Sequence, residues 1–213
     1  IKKNLDLNLF HKYCDVRDLN KVRLNLINFI NKENKFEKDY FNICKNELFK
    51  IIGNEIAIQN EISLSIQLPK DKSSLLPMHA DTWSGNSPFE IVVWIPLVDC
   101  YKTKSMFILD KNYLSKFNQE FRKPKMSSDK IFQKYKKYFK FINIKYGQGL
   151  IFDQNIPHGN IVNTTKETRW SFNCRFKNLF SPYKEKKFGD TFKVMTIKPA
   201  TLIGLNYKFP RTK

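Results

Sequence analysis

The chain has 213 residues, of which 41% are apolar and 15% aromatic, a globular composition with the mass of one ordinary domain and enough for a continuous core. No run approaches the ~18 consecutive apolar residues of a membrane span, and the first residues lack a charged-then-apolar signal pattern; a cytoplasmic location is therefore expected, with any segment ahead of Ile1 left open. The formal charge of +18 is spread from Lys2 to Lys213, and its clusters, Lys134-Tyr135-Lys136-Lys137 and Lys184-Glu185-Lys186-Lys187, carry no nucleic-acid-binding motif; this argues against nucleic acid and leaves two readings, a negatively charged small-molecule partner or a chain that is Lys-, Asn- and Ile-rich throughout by composition alone.

Between Asp18 and Asn31, Leu19, Val22, Leu26, Phe29 and Ile30 recur at helical spacing. A second such pattern runs through Tyr40, Phe41, Cys44, Leu48, Ile51 and Ile52 and stops at Gly53. Residues 1–54 are thus a helical prelude suited to packing on the outside of a sheet, with His11 ahead of it as a surface or cap residue.

From Glu55 the texture changes to short β-rich runs: 56–58, 62–68, 91–98, 106–109, 139–144, 150–152, 161–162 and 168–176. Residues 111–138 interrupt them with Lys, Ser and helical periodicity, an insertion that serves equally as a lid or as a surface excursion. The fold class is mainly β with N-terminal helices, a double-stranded β-helix (jelly roll, cupin-like) over 55–208 within a single domain spanning 1–213. Four cysteines, Cys14, Cys44, Cys100 and Cys174, lie far apart without a C-x-x-C pair and are expected as reduced thiols.

Two of the three histidines stand in a pattern. His79 and Asp81 flank Ala80, so in an extended segment both point to one side, and His158 lies in Pro157-His158-Gly159 far downstream. Two imidazoles and one carboxylate form a facial triad for non-heme Fe(II), which leaves the remaining vertices to cosubstrate and O2. Alternation over 167–177 puts Arg169, Ser171, Asn173 and Arg175 on one face and Trp170, Phe172, Cys174 and Phe176 on the other. An inward guanidinium demands an acid, and Arg169 with Ser171 makes a good clamp for a dicarboxylate. Arg175 stands open between an internal ion pair and a substrate contact. Gln67 is positioned to hydrogen-bond cosubstrate or substrate or simply to face solvent. Trp83 and Trp94 suit the face of a sugar ring and equally suit a core.

The order His79-x-Asp81, His158, Arg169-x-Ser171 resembles the Fe(II)/2-oxoglutarate-dependent dioxygenases. More narrowly, the run from Phe89 to Asp99, Gly149 to Asp153 before His158, Asn163, the stretch 169–183, and Lys198-Pro199-Ala200-Thr201 with Gly204 and Tyr207 are similar to the phytanoyl-CoA hydroxylase-like group. Within it they are similar to oxygenases of carbohydrate biosynthesis clusters and to the streptomycin-cluster oxygenase. The resemblance implies Fe(II) on His79, Asp81 and His158, and 2-oxoglutarate held at its far carboxylate by Arg169 and Ser171. It also implies O2 as cosubstrate and hydroxylation of a sugar-containing or other polar small molecule in surface-glycan or natural-product biosynthesis. Because Asp81 occupies a vertex, halogenation is disfavoured. Two rivals are a non-redox, cupin-like metal-dependent sugar isomerase or epimerase, which leaves Arg169 and Ser171 without a purpose, and a non-catalytic binding module. The oligomeric state is left open.

Overall fold

One strand explains where the helices go. In the computed structural model, which describes residues 5–210, β8 (Arg169–Asn178) is the longest strand and its odd and even positions part as the alternation predicts. On the outer face Phe172 meets Phe36 and Tyr40 edge-on, with centroids 5.2 and 6.4 Å away. Phe176 lies against Tyr40 and Phe41, Cys174 sits in the same cluster, and Trp170 packs edge-on against Phe10 at 4.8 Å. Those partners come from the prelude, from α2 (Asn34–Ile52) and from the 3-10 turn Leu7–Lys12 that precedes α1 (Val16–Asn31). Each fully buried aromatic of this kind contributes about 1.5–3 kcal/mol.

Polar groups fix the helices in place. Tyr40 donates its hydroxyl proton to the Val93 carbonyl at 2.8 Å. Asn31, at the end of α1, pairs with both backbone groups of Ile62, accepting from its N–H at 2.8 Å and donating to its carbonyl at 3.0 Å. His11 is a tether: its backbone N–H donates to the Thr168 hydroxyl at 3.2 Å, just ahead of β8.

The strands form two antiparallel sheets. In the larger, β3 (Glu90–Pro96) pairs with β8 on one side and with β6 (Leu150–Asp153) on the other. The opposite edge of β8 is taken in turn by β2 (Ser63–Gln67) and β1 (Ile56–Gln59), and β9 (Phe192–Thr196) extends the sheet beyond β1. The smaller sheet holds β4 (Phe107–Leu109) between β5 (Phe139–Phe141) and β7 (His158–Gly159).

Two expectations are corrected here. No strand forms at 161–162. Asn163 accepts at its Oδ1 from the N–H of Thr165 at 3.0 Å and donates from its Nδ2 to Glu167 O at 2.8 Å, and this side-chain turn offers the backbone an alternative to a ladder. β9 was not anticipated at all.

The insertion folds into α3 (Leu114–Phe121) and α4 (Ser128–Tyr135). Phe117, Ile131 and Tyr135 are buried against Met78, Phe107 and Leu109, so it buttresses the small sheet.

Candidate metal centre and anion pocket

The site lies between the two sheets. Its first histidine sits in the loop 68–80, its second on β7, and the two segments are held by a bridge in which His79 N–H donates to His158 O at 2.9 Å and His158 N–H donates to His79 O at 2.8 Å. The loop can lie this close because Gly159 has no side chain: a Cβ there would be 2.8 Å from Leu76 O and 2.9 Å from Phe107 Cζ. Asn160 completes the seam, accepting at its Oδ1 from Leu76 N–H at 2.6 Å while its own N–H donates to Leu76 O at 2.9 Å. His158-Gly159-Asn160 is thus a docking device for the loop that brings His79.

Asp81 begins a single 3-10 turn, Asp81–Ser84. Its carbonyl accepts from Asn86 Nδ2 at 2.9 Å, and the turn closes on Gly85 at φ +80°, where any side chain would also collide with Glu185.

One ligand atom from each of His79, Asp81 and His158 lies within 4.8 Å of the others. His79 Nε2 stands 3.6 Å from Asp81 Oδ1, and the two imidazole centroids are 4.4 Å apart. Both rings are oriented from behind: Nδ1 of His79 is 2.8 Å from Pro77 O and Nδ1 of His158 is 3.0 Å from Ile156 O. A carbonyl can only accept, so each Nδ1 carries the proton and each Nε2 presents its lone pair inward, the tautomer that a metal requires.

Charge follows the same plan. Burial raises the pKa of Asp81, but the neighbouring His79 and the positive charge of Arg175 outweigh it and hold the carboxyl down to about 2. Burial also works against a charged His79, yet Asp81 and the Pro77 carbonyl push its pKa up; His158, buried and facing His79, is pushed down. An ionised carboxylate beside two imidazoles is a donor set for a borderline divalent cation.

From the inner face of β8, Arg169, Asn173 and Arg175 line the cavity beyond the triad, while Ser171 shares that face without forming part of the wall. Arg169 is 3% exposed, and its guanidinium donates to Ser65 Oγ at 2.9 Å. No carboxylate among the described residues pairs with it. Burial alone brings its pKa down to about 10. Its Nε and the hydroxyl of Ser171 have no hydrogen-bond partner among the described residues. A buried guanidinium without a counter-ion and with a free Nε, next to an unpartnered hydroxyl on the same strand face, is costly without an anion to receive it. The residues therefore fit a divalent metal at one end of the cavity and an anionic, multiply accepting ligand at the other.

The remaining sequence-derived candidates separate. Trp94 is buried and lines the cavity with Ser65, Asn173, Arg169 and Arg175. Arg175 is ion-paired with Asp81, Nη2 to Oδ2 at 3.0 Å. Gln67 lies opposite Arg169 in the β2–β8 register but donates to Ile161 O at 2.8 Å and is not part of the cavity wall. Trp83 is not part of the wall either; its ring packs at a tilt against Phe121 at 4.5 Å and lies parallel to Phe117 at 6.5 Å, joining the turn that carries Asp81 to α3. No residue of the 111–138 insertion lines the cavity. Sequence reasoning missed Ser65, because a serine on a strand carries no signal until the register places it opposite Ser171.

No family model matches the chain, and no curated protein does. Solved structures do. A non-heme monooxygenase, ThoJ, in complex with nickel shares 14% identity over 72% of this chain and 56% of its own, with a TM-score of 0.53. Apo ThoJ shares 15% over 72% and 57%, with a TM-score of 0.55. The non-heme alpha ketoglutarate dependent epimerase SnoN from nogalamycin biosynthesis matches at 15% over 64% and 52%, with a TM-score of 0.46. This chain therefore has the fold of a non-heme monooxygenase and spans little more than half the length of the ThoJ chains.

Proposed function

We propose that this chain is an Fe(II)- and 2-oxoglutarate-dependent oxygenase acting on a small molecule. His79, Asp81 and His158 hold the iron, and Arg169 with Ser171, supported by Ser65, receives the far carboxylate of 2-oxoglutarate. The observation that carries this reading is the buried guanidinium of Arg169, with no carboxylate partner and an unpartnered Nε, in the same cavity as a converging His-Asp-His donor set. A double-stranded β-helix over 55–208 is the architecture to which we assign the two sheets.

Bound there, the iron and its cosubstrate supply the oxidising chemistry, with 2-oxoglutarate converted to succinate and CO2 and O2 as oxidant. The chain does the rest. The backbone carbonyls of Pro77 and Ile156 keep both Nε2 atoms unprotonated toward the metal. Arg169 and Ser171 fix one end of the dicarboxylate, which orients its other end, and Val92, Trp94, Met106 and Phe152 line the cavity with apolar surface that excludes water. Gln67 steadies the loop at Ile161 behind Arg169 and contributes to cosubstrate binding through it.

The substrate we favour is a sugar-containing or other polar metabolite, anionic or neutral, of surface-glycan or natural-product biosynthesis, and the reaction is hydroxylation. Trp94 is the aromatic available to a sugar face, whereas Trp83 is engaged with α3. The fold of a non-heme monooxygenase and the choice of donors support this reading over a non-redox metal-dependent isomerase, which has no use for an unsatisfied Arg169. The test is anaerobic addition of Fe(II) and 2-oxoglutarate, followed by air. A visible charge-transfer band and then succinate are expected, both absent in His79→Ala; isomerase activity without O2 or 2-oxoglutarate would replace the proposal with its rival.

A further inference from the structure

Arg175 lies on the same inward strand face as Arg169, six residues further along β8, yet its surroundings differ. Its Nη2 is 3.0 Å from Asp81 Oδ2, and its Nη1 donates to Gln59 Oε1 at 3.0 Å. The arginine side chain is 17% exposed and the aspartate side chain 7%. Asp81 Oδ1, the other carboxylate oxygen, is the one 3.6 Å from His79 Nε2. The two oxygens are thus divided, Oδ2 to a guanidinium and Oδ1 to the triad.

We propose that Arg175 is a positioning residue that restricts Asp81 to a single metal-facing oxygen. The inference rests on the metal centre proposed above. A carboxylate with both oxygens available can chelate a divalent ion through both. At a triad whose remaining vertices must take a chelating cosubstrate and O2, a second aspartate oxygen would occupy one of them. A guanidinium hydrogen-bonded to Oδ2 removes that mode, and a planar fork is needed because one group must reach Gln59 and Asp81 at once. A lysine ammonium presents a point charge and does not match both. Gln59, at the end of β1, therefore aims the fork, and two strands of the large sheet set the geometry of a ligand carried on a loop.

The experiment uses Co(II) as the metal and 2-oxoglutarate as the second ligand, titrated anaerobically into wild type, Arg175→Met, Arg175→Lys and Gln59→Ala, with X-ray absorption on the Co(II) forms to count carboxylate oxygens. Arg175→Met is expected to bind Co(II) at least as tightly as wild type, since a fixed positive charge near the ion is gone. Its affinity for 2-oxoglutarate should fall about tenfold, the lower end of what outer partners of metal ligands contribute. Its absorption spectrum should show a second aspartate oxygen. Arg175→Lys should not restore wild-type behaviour, and Gln59→Ala should show a smaller loss in the same direction, which also decides the matter if Arg175→Met does not fold. Wild-type 2-oxoglutarate affinity and an unchanged Co(II) spectrum in Arg175→Met and Gln59→Ala would overturn the proposal alone, as would loss of Co(II) binding from folded Arg175→Met. Failure of the wild type itself to bind Co(II) would overturn the metal centre, and this inference with it.

Discussion

The two faces of β8 are built from neighbouring residues and obey opposite rules. Outward, Trp170, Phe172, Cys174 and Phe176 are packed against α1, α2 and the segment before them. Inward, Arg169, Asn173 and Arg175 line a cavity and Ser171 shares their face, and three of the four (Arg169 and Arg175 at Nε, Ser171 at its hydroxyl) carry a buried polar atom with no partner among the described residues. The outer face contributes stability, while the inner face gives some of it up for a ligand. Natural sequences break local rules of polar satisfaction where they bind something, and here the break alternates residue by residue along one strand.

Substitutions on the two faces should therefore separate stability from binding. The largest effect is expected outside. Phe176→Ala, at 0% exposure, should destabilise the protein by about 3–5 kcal/mol, read as a fall in the chemical-denaturation midpoint, with cosubstrate affinity unchanged in the fraction that remains folded. Inside, Arg169→Met should do the reverse. It removes an uncompensated buried charge, so the ligand-free protein should be as stable as wild type or more so. Its affinity for 2-oxoglutarate in the metal-loaded form should fall about a hundredfold, the cost of about 2–5 kcal/mol for losing one partner of a buried charge pair; equal loss of stability in both variants would erase the distinction between the faces.

Metal should act on stability only through the inner face. A divalent ion at about 100 times its dissociation constant should add about 2.7 kcal/mol. The expected rise in melting temperature is about 5–10 °C for a chain of this size, reversed by chelator and absent in Asp81→Ala. The smallest effect concerns the insertion. Trp83→Ala removes the rings' contact between the Asp81 turn and α3, and should cost about 0.5–1.5 kcal/mol beyond buried area while quickening proteolysis between Arg122 and Lys125. If metal binding is lost as well, the insertion does more than buttress.

Much of this contrast is legible in the sequence because strand geometry has a period of two. Arg169, Ser171, Asn173 and Arg175 sort from their neighbours by position alone, and His79 and Asp81 share a side for the same reason. What resisted is what depends on pairing between remote segments. Ser65 reaches Arg169 only through the β2–β8 register. The contacts of Arg175, Asp81 and Gln59 on either side of its fork, come from segments remote from it in sequence. Trp83, beside His79-x-Asp81 in sequence, turns outward to Phe121, because the 3-10 turn that begins at Asp81 breaks the alternation on which a pocket assignment depends. The 161–162 run has β-forming residues but is flanked by Asn160 and Asn163, whose side chains bond to backbone and take the place of a ladder.

The most direct test is a crystal structure of the protein grown anaerobically with Mn(II) and 2-oxoglutarate. A single anomalous peak within bonding distance of His79 Nε2, Asp81 Oδ1 and His158 Nε2, with the far carboxylate of 2-oxoglutarate against Arg169 and Ser171, is the result expected. A metal bound elsewhere, or 2-oxoglutarate lying away from Arg169, would contradict the account.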